Sequence, residues 1–270
     1  MHRPLRQTYD DYNAIPAVNW STLKELRKSP LHYKYALDFS QKETPSLLLG
    51  RAVHAAILEP ENWLGAFAVR PEGIDRRTKI GKEDFAKFEA ENQGKTVLTA
   101  EANKTAWTIG TCVREHPLSA HFFTRSDSFR ESTILWTDEQ TGLKCKGRLD
   151  LCNLDHRLLI EIKTANSIGE REFSLQAWKL GYFHQLAFYA AGLKTMCGVE
   201  PDLRIVAAES NPPHDVAVFA PCLDTMYAAG EEVKDLLQKL LHCRDTGKWP
   251  GQHPNLTTLS APRFALGFDD

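Results

Sequence analysis

Two short runs, residues 143–151 and 158–164, alternate with a period of two and are separated by the polar stretch Asn153–Arg157. Such runs read as strands, and the polar stretch between them reads as a turn. An antiparallel hairpin is the simplest arrangement, and it commits the chain to a sheet. Side chains two apart on a strand share a face. In the first run Leu143, Cys145, Gly147, Leu149 and Leu151 point one way, and Lys144, Lys146, Arg148 and Asp150 the other. In the second, Leu158, Ile160, Ile162 and Thr164 oppose Leu159, Glu161 and Lys163. Asp150 then sits near Glu161 across the ladder, with Lys163 one same-face step along, roughly 6–7 Å from Glu161. Two like charges repel unless a cation lies between them. Two carboxylates beside a lysine suggest a hard divalent ion, Mg²⁺ or Mn²⁺. The same pattern also suits a solvated strand face carrying cross-strand charge pairs. The hairpin by itself leaves both readings open.

The segments around it supply helices. Residues 20–40 read as two short helices, the first capped by Ser21, the second by Ser29 with Pro30 in its first turn. Lys24, Arg27, Lys28, His32 and Lys34 give them a basic side. Residues 46–59 read as a buried helix that stops before Pro60, with Gly50, His54 and Leu58 on one stripe. A lone histidine in such a helix is more often a hydrogen-bonded core residue than a ligand. Residues 70–82 read as a mobile basic loop, and 83–92 and 99–115 as helices. A strand over 129–138 leads into the hairpin. A long helix is expected over 173–195, carrying Trp178, Tyr182, Gln185 and Tyr189 as one continuous stripe. A glutamine in such a stripe needs polar partners. Residues 203–209 and 215–220 read as a second hairpin, and 223–245 as a helix. The order implies an α/β fold with helices covering a central mixed sheet.

Composition narrows the function classes. A formal charge of −2 does not advertise nucleic acid, so any DNA contact must use a local basic surface. The six cysteines form no Cys-x-x-Cys and no zinc-finger spacing, and read as reduced, mostly buried thiols. No apolar run approaches the ~20 residues that span a membrane, and the N-terminus lacks the apolar core of a signal peptide, so a cytoplasmic protein is expected.

In order, the chain carries Gly50-x-x-x-His54, Gly147-x-x-Asp150, Glu161-x-Lys163-Thr164 and Gln185-x-x-x-Tyr189. This series resembles the PD-(D/E)XK nuclease superfamily, and within it the RecE-type (exonuclease VIII) phage recombination exonucleases, with lambda exonuclease a more distant likeness. "VNWSTLKELRKSPLHYKY", "GRAVHAAILEPENW", "TDEQTGLKCKGRLDL" and "TGKWPG" are similar to segments of that branch. One departure is Leu149, which stands where the superfamily name has proline.

The resemblance implies a restriction-endonuclease-like core with an N-terminal helical embellishment. It implies one nuclease domain over residues 1–270, with a family-like core at 15–250 and a tail at 251–270. It implies Mg²⁺, with Mn²⁺ as substitute, held by His54, Asp150, Glu161 and the Ile162 carbonyl. Lys163 orients the attacking water, Gln185 and Tyr189 support the site or touch the cut strand, and Glu131 is a possible extra acid. The implied activity is processive 5′→3′ digestion of double-stranded DNA ends, leaving 3′ tails for a RecT-like annealing protein, by a homo-tetrameric ring. An endonuclease on the same fold, or a catalytically silent DNA-binding subunit, is the alternative.

Overall fold

The computed structural model describes residues 3–39, 43–75 and 77–261. Among the described residues, strands β1 (Leu5–Arg6), β4 (Phe129–Thr137), β5 (Lys144–Asn153), β6 (Leu158–Ala165), β7 (Asp202–Glu209) and β8 (Val216–Phe219) form one sheet in the order β1-β4-β5-β6-β7-β8. β6 and β7 run parallel and the other neighbours antiparallel, so the sheet is mixed. A small parallel pair, β2 (Phe67–Val69) with β3 (Thr96–Leu98), stands apart.

Helices cover both faces. On one side lie α2 (Trp20–Leu23), α3 (Pro30–Asp38), α9 (Glu170–Leu180), α10 (Tyr182–Cys197) and α11 (Leu223–Thr246), packed through Trp20, Tyr33, Phe173, Phe188 and Leu240. On the other lie α4 (Pro45–Leu58), α7 (Ala100–Glu115) and α8 (Ala120–Thr124), packed through Val53, Ile57, Ile109 and Phe122 onto Ile160, Ile162 and Val206. Each such aliphatic side chain contributes about 1.5–3 kcal/mol by leaving water. The remaining helices are α1 (Tyr9–Ala14), α5 (Trp63–Ala66), whose Trp63 joins this second cluster, and α6 (Lys79–Glu91). Among the described residues no helix is long and apolar enough to cross a membrane, and all six cysteines are free, four of them buried.

Local chemistry accounts for the boundaries. Thr44 caps α4 from its side chain with Pro45 in the first turn, and Ser29 does the same ahead of Pro30. The cap of α2 is Asn19, which accepts from the Thr22 N–H, and Ser21 only donates to Asn19. The basic loop ends sooner than expected, because Thr78 caps α6; Arg76 of that loop and residues 262–270 of the tail lie outside the described residues.

Two sequence expectations are corrected, and one strand stands where none was expected. The long helix is two helices, broken at Gly181, whose φ of +79° suits glycine alone and whose Cβ would meet the Trp20 ring at 2.6 Å. Trp178 therefore leaves the stripe of Tyr182, Gln185 and Tyr189. Strict alternation along β5 also fails. Cys145 and Leu149 pack in one core cluster, but Leu151 packs in the other and Cys152 returns to the first. The slip falls at Asp150 on β5 and at Glu131 opposite it on β4, between the pairs Arg130↔Leu151 and Ser132↔Leu149. Finally, the N-terminus begins with an edge strand, β1, ahead of its helices.

Candidate functional site

The phase slip builds the site. Glu131 and Asp150 stay opposite each other in register but form no ladder pair, so both side chains are free to be re-aimed. Glu131 adopts φ +44°, a left-handed conformation that costs a non-glycine residue roughly 1–2 kcal/mol. Its carboxylate meets that of Asp150, and His54 of α4 arrives from the covering layer. One ligand atom from each of His54, Glu131 and Asp150 lies within 4.8 Å of the others, a spacing able to hold a metal ion.

His54 is held by its far nitrogen. Nε2 stands 3.0 Å from the Ile162 carbonyl, an acceptor, so Nε2 donates. Nδ1 then faces Asp150 Oδ1 at 3.4 Å and Glu131 Oε1 at 4.0 Å. Burial alone would lower the pKa of the ring, but the Asp150 and Glu131 carboxylates outweigh it and lift the value to about 9. Asp150 Oδ2 accepts from the Ile162 N–H at 2.7 Å. Burial pushes the Asp150 pKa up, and His54, Lys163 and that N–H more than offset it, leaving a net fall. Burial and Asp150 raise that of Glu131, against His54 and Arg148.

Glu161 is the register partner of Asp150, one step beyond the last ladder pair, Leu151↔Ile160. It is fully buried. Oε2 accepts from Lys163 Nζ at 2.9 Å, while Oε1 has no partner. Burial and the Asp150 charge lift its pKa to about 8, against Lys163. Lys163 Nζ also donates to Gln185 Oε1 at 3.0 Å and lies 5.1 Å from the centre of the Tyr182 ring. Burial opposes its charge, but Glu161 and Asp150 raise its pKa overall. Gln185 Nε2 donates to the Tyr189 hydroxyl at 3.2 Å. The Tyr189 ring needs Gly147 beneath it, since a Cβ there would approach the ring to 2.8 Å.

His54, Glu131, Asp150, Glu161, Lys163, Gln185 and Tyr189 thus gather over β4, β5 and β6. Their grouping has detail the sequence lacks. Glu131, ranked as an extra acid, belongs to the tightest set, whereas Glu161 pairs with Lys163. The Ile162 carbonyl, expected as a metal ligand, here orients His54. Sequence reasoning missed Arg148, which donates to Glu131 Oε2 at 2.8 Å, and Tyr12, whose raised pKa owes most to burial and part to Tyr9 and Glu161. It also passed over the nearness of Lys24: burial lowers its pKa, and the charge of Lys163 adds to the fall. The basic side of 24–34 is partly spent within the molecule: Arg27 pairs with Glu232, Lys28 with Glu25.

The donor set suits a hard divalent cation. Carboxylate oxygens and an imidazole nitrogen converge, and the unpartnered Glu161 Oε1 is a buried acceptor that a cation would satisfy.

Residues 19–258 match the family described as a PDDEXK-like domain of unknown function. The fold also matches the crystal structure of a "putative exonuclease" from Eubacterium rectale, with a TM-score of 0.64 at 14% identity over 97% of this chain and 98% of that one. A crystal structure described as SSO0001 reaches a TM-score of 0.31 at 17% identity over 81% and 85% of the two chains, too weak a likeness to argue from. No curated protein matches the sequence significantly.

Proposed function

Because this chain belongs to the PDDEXK-like family DUF3799, we propose that it is a metal-dependent nuclease, and more narrowly a Mg²⁺-dependent double-strand DNA exonuclease. The observation that carries the reading is the convergence of His54, Glu131 and Asp150 beside a buried Glu161–Lys163 pair. Mn²⁺ would substitute for Mg²⁺.

In this reading His54, Asp150 and Glu161 would hold the ion with Glu131 beside them, and the Ile162 carbonyl, which accepts from His54 Nε2, would reach it with its second lone pair. Once bound, the ion withdraws charge from the phosphate oxygens and lowers the pKa of a water. The side chains do the rest. Lys163 keeps its proton and offsets the charge that grows on the phosphoryl oxygens. Gln185 holds Lys163 through its Oε1 and is itself held by the Tyr189 hydroxyl, so the ammonium group is placed before substrate arrives. Asp150 keeps His54 turned toward the centre.

The finer proposals rest on the RecE-type resemblance: 5′→3′ polarity, 3′ tails passed to an annealing protein, and a tetrameric ring. The ring would answer the balanced charge of the chain, since phosphate contacts supply most non-specific affinity. Its test is light scattering, with four times 30.5 kDa expected. End-labelled linear duplex and a covalently closed, unnicked circle, each with Mg²⁺, test the activity. Linear duplex should be digested from its ends and the circle left intact. Cleavage of the circle would make this an endonuclease. Full activity in excess chelator would refute the metal centre.

A further inference from the structure

The stretch Leu5–Ile15 precedes the family match, which starts at residue 19, yet it is fastened to the site at three points. β1 pairs with β4 as Leu5↔Thr133 and Arg6↔Ser132, so the next step of that register brings Gln7 alongside Glu131. Arg148 joins the two there: Nε donates to Glu131 Oε2 at 2.8 Å and Nη1 to the Gln7 carbonyl at 3.2 Å. Its guanidinium also lies 5.9 Å from the centre of the Tyr9 ring. Lys146, 3% exposed, spends its ammonium group on the carbonyls of Tyr12, Asn13 and Ile15, at 2.7, 3.2 and 2.8 Å. A lysine has three donors, so none is left for a substrate.

A left-handed glutamate inside a strand persists only where its surroundings over-determine it. For Glu131 those surroundings are β1 on its outer side and Arg148 on its carboxylate. One oxygen is held by Arg148, and the other is thereby turned toward His54 Nδ1. We propose that the segment Leu5–Ile15, acting through Arg148, is the positioning device that aims Glu131 into the metal centre. The proposal rests on the metal-dependent reading above. Arg148 is a positioning residue: it touches Glu131, and Glu131 faces the ion.

The test is Mn²⁺ binding to the full chain by calorimetry, with no DNA present. Arg148→Met and Glu131→Gln should each weaken Mn²⁺ binding about tenfold, the scale of a lost outer-shell partner. The double variant should be no weaker than the worse single one, because both remove one interaction. Arg148→Lys should recover part of the loss. Arg6→Pro, which disturbs the β1 pairing without touching the site, should weaken binding in the same direction, and keeps the proposal falsifiable if Arg148→Met does not fold. Wild-type affinity in a folded Arg148→Met, or strictly additive losses in the double variant, would overturn it while Asp150→Asn still abolishes binding. If Asp150→Asn itself binds Mn²⁺ as the wild type does, the metal centre fails, and this proposal with it.

Discussion

Two histidines face carboxylates in this protein, one partly exposed and one fully buried, and their pKa values move in opposite directions. His54 stands before Asp150 and Glu131, and its pKa rises to about 9. His184 of α10 is fully buried, stacked on Trp20 at 5.6 Å and tilted against Trp178. Its Nε2 lies 2.7 Å from Glu232 Oε2, yet burial outweighs that carboxylate and lowers its pKa. The difference is in how the acids are matched. Glu232 already has Arg27, which also donates to the carbonyls of Trp178 and Lys179 at the end of α9. At the other site three acids, Glu131, Asp150 and Glu161, share Arg148 and Lys163, which leaves one negative charge over for His54 to face. A cluster whose charges already balance can be purely structural. One left short of positive charge has a place that a bound cation would fill.

The sharpest way to break this comparison is cleavage itself. Glu161→Ala and Lys163→Ala should each lower the rate by about a thousandfold or more, or ~4 kcal/mol at 1.36 kcal/mol per factor of ten, while circular dichroism shows a folded chain. Near-normal cleavage by either would make the site a structural cluster like the one at His184.

Metal-linked stability should separate the clusters next. At Mn²⁺ one hundred times its dissociation constant the wild type should gain about 2.7 kcal/mol, read as a higher melting temperature. His54→Ala should lose most of that gain. A His184→Ala protein should keep it in full. An intact gain in His54→Ala, with only a lower baseline, would return His54 to a core role.

Removing the second cluster should cost stability alone. Glu232→Gln leaves Arg27 and His184 poorly matched and should destabilise by about 1–3 kcal/mol, with the Mg²⁺ dependence of cleavage unchanged. A changed dependence would join the two clusters functionally through α10, which carries both His184 and Gln185.

The smallest effect is a pair of opposite pH slopes in chelator, followed by melting temperature. Glu161 and His54 have folded pKa values of about 8 and about 9, above their ordinary ones. Their contribution is full below the unfolded values and is lost as pH rises through the folded ones, so stability should fall from pH ~4.5 to ~8 through Glu161 and from ~6.5 to ~9 through His54. His184 is depressed, so its contribution is present above about pH 6.5 and fades on acidification. Glu161→Gln should flatten the alkaline slope and His184→Ala the acid one. Identical slopes in both variants would remove the distinction.

The period-two runs predicted β5 and β6 closely, and the apolar run that stops before Pro60 placed α4 within a residue of its observed start and end. These succeed because period and capping are local. The break at Gly181 was missed because glycine is tolerated inside a helical pattern. What demands it is the Trp20 ring, far away in the chain. The β1 strand was missed because two residues have no period to read.

The same division holds for the site. His54, Asp150, Glu161, Lys163, Gln185 and Tyr189 stand in an order and spacing that local rules and family resemblance can read along the chain. Only the tertiary structure decided how those groups are shared. It put Glu131 with His54 and Asp150, gave Lys163 to Glu161, and tied Arg148 to both the N-terminal strand and Glu131. Those pairings depend on a phase slip in two strands and on a helix crossing from the opposite layer. Both follow from distances between residues remote in sequence, and no window along a single strand or helix contains them.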